Sequence, residues 1–498
     1  MNKSIKNIVF GVLGQVITIL IGLILPRLRI VSFGSEVNGL LTSVQQIYVY
    51  LALLEAGVGA TSLQALYKPV ATDDKDSINS VISATHSYYK RTGIIYLIAV
   101  IVLAIVYPLT VSSGIEPFTV VAVIVLNGAA NVLAYFFQGK YKILLQAEGK
   151  EYVTTNLTTA VTTFSGIAKI VLMFVFPNVI ALQVSYFLFS IFQVLYFAIY
   201  IKRHYKWIDL KAKPTPLSQK KSALIHQVSQ LVFNNTDVLL LTYFCGLKVV
   251  SVYALYNMIY DMISVLIGNV NKGFSFKLGQ LFNSDREKFD KLFNLYERFY
   301  LALSFSLYCV CFLLMPEFIS LYTRGVTDID YAVRGLPLLF LVVKILVSGR
   351  ATSGFVATYA GHFKLTQNRA LIEMGINIVV SVVAVIFWGI YGVLIGTIAA
   401  LLYRANDMII YCNSKILKRK NFETYKWWLL DILLLAVFTI AYNMIPITIN
   451  SYVTFFIVAC IITAIICIAY FAITFIVTDK EIKKELFAFL PNKLRIKK

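Results

Sequence analysis

Residues 93–111 read GIIYLIAVIVLAIVYPLTV, a run without a single charged side chain. A hydrocarbon core ~30 Å thick is crossed by roughly 20 mostly apolar residues in a helix, so this stretch predicts a membrane-spanning helix. The segment before it, 67–92, carries Lys68, Lys75, Lys90 and Arg91, whereas the short segment after it, 112–117, carries no basic residue. The same alternation recurs along the chain. Apolar spans are read near 7–25, 38–66, 93–111, 118–137, 153–176, 179–201, 223–245, 249–271, 293–315, 333–349, 370–388, 390–411, 428–446 and 452–477. Of 498 residues, 59% are hydrophobic and 14% charged, and mean hydropathy is +0.76. A soluble core could not hide that much apolar surface. Backbone groups in lipid must be satisfied internally, which leaves helices or closed barrels, and these runs are too long and continuous for barrel strands. The expected fold class is an all-α polytopic membrane protein with about fourteen helices.

The net charge of +20 has to be placed relative to the membrane before it is assigned to a partner. With the N-terminus inside, the inward segments hold 37 of the 45 basic residues and the outward segments hold 5, namely Arg27, Arg29, Lys248, Arg324 and Arg334. Such asymmetry orients a polytopic chain by the positive-inside rule, and both termini are expected in the cytoplasm. The basic residues are spread over short loops with no recognition module, which argues against nucleic acid as a partner. Met1 to Leu25 lacks a small-residue cleavage site and runs into Pro26-Arg27-Leu28-Arg29, so it reads as a retained helix, not a signal peptide. The six cysteines show no CxxC spacing and the four histidines are scattered, so neither a metal nor a redox motif is expected.

An offset of 212 in sequence number places Gly34 on Gly246, Gly149 on Gly361 and Asn156 on Asn368, and registers 153–176 with 370–388 and 179–201 with 390–411. Six helices therefore precede six similar ones. An even number returns both halves to the same side, a parallel repeat of the kind that places substrate between its halves. The expected organisation is a six-helix lobe over 1–201, a basic cytoplasmic linker over 202–221, a second six-helix lobe over 222–412, an additional helix pair within 413–477, and a basic cytoplasmic tail over 478–498. The tail, from Lys480 to Phe487, reads as a short amphipathic helix suited to anionic headgroups.

Local sequences within this frame look like a known family. Phe33-Gly34-Ser35-Glu36-Val37-Asn38-Gly39-Leu40-Leu41 enters the second helix, which later holds Leu53-Leu54-Glu55-Ala56-Gly57-Val58-Gly59. The fourth runs into Leu144-Leu145-Gln146-Ala147-Glu148-Gly149-Lys150, and the seventh holds Asp237-Val238-Leu239-Leu240-Leu241 before Phe244-Cys245-Gly246. These resemble the Wzx-type polysaccharide flippases, which carry O-antigen or capsule repeat units, of the multidrug/oligosaccharidyl-lipid/polysaccharide exporter superfamily. The resemblance implies a bacterial inner-membrane transporter, not an enzyme. It would carry an undecaprenyl-diphosphate-linked oligosaccharide from the cytoplasmic to the outer leaflet by alternating access, for surface polysaccharide synthesis. Polysaccharide polymerase and glycosyltransferases would be its partners, with the last two helices grooved for the lipid tail. No cofactor is implied beyond Na⁺ or H⁺ as a coupling ion.

A diphosphate drawn into a membrane cavity needs cations, and the planar fork of arginine suits phosphate. Arg27 and Arg29 are candidates at the end of the first helix, with snorkelling to headgroups as the plainer alternative. Lys344 and Lys169, inside spans, are costly if lipid-facing and are expected to face the interior or a partner. Among intramembrane carboxylates, Asp237, Glu373 and Glu55 are the candidates for coupling, whereas Arg404 and Asp407, three apart on one helix, suggest a structural ion pair. Most tyrosines belong to interfacial belts, while Tyr48, Tyr50, Tyr253 and Tyr256 are candidates for stacking on sugar rings. A multidrug exporter of the same superfamily is the main alternative and would want an acidic cavity. A membrane polymerase or glycosyltransferase is a further one, disfavoured by the absence of a large outward loop.

Overall fold

The computed structural model describes residues 3–55, 58–215, 221–445 and 449–478. The expected amphipathic tail beyond Thr478 lies outside the described residues. Sixteen α-helices are described. The first eight are α1 Lys3–Phe33, α2 Ser35–Leu51, α3 Val58–Ala71, α4 Lys75–Thr110, α5 Pro117–Phe137, α6 Gly139–Ala147, α7 Glu151–Val175 and α8 Val179–His204. They are followed by α9 Lys221–Phe244, α10 Leu247–Ser284, α11 Arg286–Tyr322, α12 Leu336–Tyr359, α13 Phe363–Trp388, α14 Ile390–Tyr411, α15 Phe422–Asn443 and α16 Tyr452–Val477. Among the described residues, thirteen stretches are long and apolar enough to cross a membrane, and the chain is an all-α polytopic membrane protein. The fourteenth expected span is α9, which is long enough but carries Gln227, Gln230, Asn234, Asn235 and Asp237 along its length.

Two boundaries differ from the hydropathy reading. The first helix does not stop at residue 25 but runs through Pro26 to Phe33. Membrane helices tolerate the bond a proline removes, and Leu28, Ile30 and Val31 keep the apolar run going, so Arg27 and Arg29 are helical residues. The second expected span, 38–66, is two elements. Its first part, α2, tightens into a 3₁₀ turn over Ala52–Glu55, and α3 begins at Val58.

The offset of 212 carries over to element bounds. Lys75–Thr110 shifted by 212 is 287–322, against α11 at Arg286–Tyr322. Shifted likewise, α7 is 363–387 against α13 at 363–388, and α8 is 391–416 against α14 at 390–411. The turns obey the same offset: φ is +85° at Gly34 and +84° at Gly246, +68° at Gly149 and +69° at Gly361.

The chain divides into two compact units, one of residues 1–254 with 325–329 and the other of 255–324 with 330–498. In the first unit, Leu40, Val44, Ile82, Ile124, Leu144 and Phe197 are fully buried and form its apolar centre. Helices α1 and α7 approach closely through small residues. A Cβ on Gly14 would lie 2.4 Å from Thr159 Oγ1, and one on Gly166 would lie 2.9 Å from Ile21 Cγ2. Gly14 with Thr159 and Ile21 with Gly166 have the same spacing in sequence, so the two helices run parallel in one register. Helix α2 packs on α9 and the start of α10 through polar contacts: Asn38 Nδ2 donates to Ser251 Oγ at 2.9 Å and Thr242 Oγ1 to Ser43 Oγ at 2.9 Å. Small side chains and short polar bonds replace the hydrophobic drive that lipid does not supply.

In the second unit, α13 and α14 form a tight hairpin. A Cβ on Gly392 would lie 2.2 Å from the Ala384 carbonyl oxygen, and one on Gly396 would lie 2.1 Å from Ser381 Oγ. Helices α15 and α16 pack on α11 and present broad apolar surfaces. Val437 is 59% exposed, Phe456 69% and Ile468 68%, as surface facing hydrocarbon requires.

Candidate functional site

A cavity of about 450 Å³ opens among the helices of the first unit, with walls from α1, α2, α4, α5, α7 and α8. Arg29 of α1 and Lys169 of α7 both line it. They meet because the two helices are parallel and pressed together at Gly14 and Gly166. Lys169 Nζ sits over the Tyr186 ring at 4.6 Å, and the Arg29 guanidinium acts on it electrostatically. A cation inside a membrane segment is costly and marks a functional position by default; two of like sign around one cavity hold it ready for an anion. Amide side chains complete the polar lining. Asn127 Nδ2 donates to Gln183 Oε1 at 2.8 Å and to the Val123 carbonyl at 2.8 Å, and Gln45 and Asn131 also face the space. Among the described residues that line the cavity, none is aspartate or glutamate.

One wall is aromatic. Tyr48 stacks on Tyr96 with ring centroids 6.0 Å apart, and Tyr96 lies 5.0 Å from Tyr135. The row continues to Tyr89, 6.1 Å from Tyr135, whose hydroxyl donates to Glu55. Tyr48 itself is fixed by donating to the Ile124 carbonyl, and Gly128 leaves room for it, since a Cβ there would lie 2.9 Å from the Tyr48 hydroxyl. Of the four tyrosines singled out from the sequence, Tyr48 alone lines this cavity. Tyr50 bonds Thr236 Oγ1 at 2.7 Å, Tyr253 donates to Asp237 Oδ2 at 2.9 Å, and Tyr256 donates to the Tyr331 carbonyl at 2.8 Å while stacking on Phe340.

The remaining candidates fall elsewhere. Arg27 is not among the cavity's lining residues; two residues along a helix rotate a side chain by about 200°, so Arg27 and Arg29 cannot share one face. Lys344 stands in the second unit, its Nζ 2.6 Å from Asp261 Oδ1. Asp237 is buried in the first unit against Tyr253. Glu373 is the centre of an ionic cluster of the second unit: Oε1 pairs with Arg350 and Oε2 with Arg404 Nε at 3.3 Å. That arginine continues to Asp407 at 2.9 Å, the ion pair expected from their spacing, and Asp407 also pairs with Arg369. Glu55 closes the tyrosine row at the end of α2.

Hydropathy reading missed Tyr96, Tyr135, Tyr186, Gln45, Asn127, Asn131 and Gln183. A signal was present for two of them. Asn127 and Asn131 are four apart within an otherwise apolar span, the spacing that puts two polar groups on one helix face.

The second unit holds a larger and mostly apolar groove of about 750 Å³, lined by Val270, Gly273, Phe274 and Lys277 of α10, by Leu292, Leu295, Tyr296, Phe299, Tyr300 and Leu303 of α11, and by Phe471 of α16. A Cβ on Gly273 would meet open space. The last helix pair thus supplies one wall residue, and the concavity itself belongs to α10 and α11.

No family model and no curated protein sequence matches the chain. Among solved structures, the inward-facing conformation of a multidrug resistance MATE family transporter of the MOP superfamily is similar at a TM-score of 0.65 and 14% identity, over 80% of this chain and 94% of that one. The lipid II flippase MurJ in an inward closed conformation is similar at 0.61 and 14%, over 94% of this chain and 99% of its own. The MATE multidrug transporter DinF-BH gives 0.59 and 11%, over 82% and 94%. At these identities the likeness establishes a shared fold.

Proposed function

We propose that this protein is a flippase that carries an undecaprenyl-diphosphate-linked oligosaccharide from the cytoplasmic to the outer leaflet of a bacterial inner membrane, by alternating access and without catalysis. The observation that carries this reading is the composition of the first-unit cavity: Arg29 and Lys169, four amides and a row of tyrosines, with no lining carboxylate among the described residues. In low dielectric an anion gains far more from fixed cations than it does in water. The guanidinium and ammonium hold phosphate oxygens and the amides hold sugar hydroxyls, while Tyr48, Tyr96 and Tyr135, buried and packed on one another, form the fixed wall behind them. The polyprenyl tail stays in an apolar environment. The likeness to the lipid II flippase extends over more of this chain than the likeness to the multidrug transporters does.

Multidrug export is the second reading, supported by the MATE neighbours. Cationic drugs need an acidic site, and the lining of this cavity is of the opposite sign. Both termini in the cytoplasm, polymerase and glycosyltransferase partners, and Na⁺ or H⁺ coupling complete the proposal. The test is deletion of the gene in its own host, which should abolish surface polysaccharide and accumulate the lipid-linked intermediate on the inner leaflet. Normal polysaccharide with raised drug sensitivity would replace this reading with the second.

A further inference from the structure

The second unit carries a polar triad that the first-unit cavity does not use. Asp261 and Asn257 are one turn apart on α10, and Lys344 reaches them from α12. Lys344 Nζ donates to Asp261 Oδ1 at 2.6 Å and to Asn257 Oδ1 at 3.3 Å, and Asn257 Nδ2 donates to Asp261 Oδ2 at 2.8 Å. The carboxylate therefore presents one oxygen to an ammonium and the other to an amide. Burial is unequal across this arrangement: the Lys344 side chain is 12% exposed and that of Asp261 51%. Tyr308, from α11, is near enough for Asp261 to act on it and is bonded to Ser264 at 3.0 Å; Cys311, also from α11, is near enough for Lys344 to act on it.

We infer that Lys344 and Asn257 form an anion-binding subsite of the second unit, for a phosphate or diphosphate group, and that Asp261 occupies this subsite until a ligand displaces it. The burial asymmetry assigns the roles. The half-exposed carboxylate can swing away from the lysine about its own side-chain bonds. The lysine cannot follow, and its departure would be opposed by the packing around it. Once Asp261 leaves, a nearly buried ammonium has no counter-charge, which is strongly unfavourable. A group with two anionic oxygens restores what the carboxylate supplied, one oxygen to Nζ and one to Nδ2. A neutral or cationic molecule restores nothing, so the pair stays closed to it. Internal occupancy also lowers apparent affinity by the fraction of molecules in which the subsite is open, which allows a bound phosphate to be released again.

The identity of the natural ligand rests on the flippase reading; the subsite itself does not. The test is calorimetric titration of inorganic pyrophosphate into the purified full-length protein, as wild type, Asp261→Asn, and Asp261→Asn with Lys344→Gln. Asp261→Asn keeps the side-chain shape and removes the competing charge, and Asp261→Ser serves as a second variant, each checked by its melting curve. Both single variants should bind pyrophosphate at least about tenfold more tightly than wild type, and Lys344→Gln should erase the gain. Unchanged affinity in folded Asp261→Asn and Asp261→Ser, or a gain that survives Lys344→Gln, overturns the subsite. That failure would leave polysaccharide export and its dependence on Arg29 and Lys169 intact, whereas normal export without this gene would overturn the flippase reading and not the pyrophosphate result.

Discussion

Gly34 and Gly246, 212 residues apart, both have positive φ, +85° and +84°, each at the junction that releases one helix into the next. Gly34 has ψ 169°, a combination that is essentially open to glycine alone. Its neighbour Ser35 is held by Asp328, which accepts from the Ser35 backbone N–H at 2.8 Å and from its hydroxyl at 2.7 Å. That carboxylate caps the start of α2, where a negative charge suits the helix dipole. A Cβ on Gly34 would come 3.3 Å from Asp328 Oδ2, and one on Gly246 would meet nothing within 4 Å. Gly246→Ala should therefore cost about 1 kcal/mol in backbone strain, and Gly34→Ala more, by disturbing the cap as well. Thermal unfolding in detergent checks the order; equal losses would refute the added role of Asp328.

Arg29→Ala and Lys169→Ala should each lower export of surface polysaccharide, with protein levels in the membrane unchanged. Loss of one charge-assisted hydrogen bond weakens binding by roughly tenfold to a hundredfold, and the double variant should be inactive. Arg27→Ala should have a much smaller effect, because Arg27 does not line the cavity. Export that depends on Arg27 and not on Arg29 would move the site elsewhere.

Lys140 sits on the short helix α6, 5% exposed, donating to the Phe136 carbonyl at 3.0 Å and lying 4.8 Å from the Tyr141 ring centre. Burial pushes its amine down to about 8. Between that value and the ~10.4 of an unfolded lysine, the unfolded chain binds more protons than the folded one. Stability therefore rises as pH increases through this window, and the penalty is fully present below it. Lys140→Met should remove the rise and stabilise the protein at pH 7 by on the order of 1 kcal/mol, less than the shift alone implies because the substitution also gives up the hydrogen bond to the Phe136 carbonyl. Melting temperatures from pH 7 to 10.5 for both proteins test this; parallel curves would refute it.

Glu373 is 7% exposed and shares its two oxygens between Arg350 and Arg404. Removing one member of a buried ionic group leaves charge uncompensated, so Glu373→Ala should cost about 3 kcal/mol, and Glu373→Gln less. Were Glu373 instead to bind the coupling ion, Glu373→Ala would melt normally and lose only the ion dependence of transport.

Properties that run along one dimension were legible in the chain alone. Hydropathy set the all-α membrane class and the approximate length of most spans, since a bilayer imposes a fixed crossing distance. The offset of 212 showed at Gly34 and Gly149 because turns with positive φ keep glycine at the corresponding positions. Finer boundaries escaped: hydropathy cannot see that α1 continues through Pro26 or that 38–66 breaks at Ala52, because helical and broken segments can be equally apolar. The site came from packing in three dimensions. Arg29 and Lys169 are distant in sequence and line one cavity only because Gly14 and Gly166 let two parallel helices close together. Tyr48, Tyr96 and Tyr135 form a row from three helices, and Lys344 on α12 finds Asp261 on α10. Helical periodicity tells which residues share a face, but which faces meet is settled by the packing of whole helices against one another.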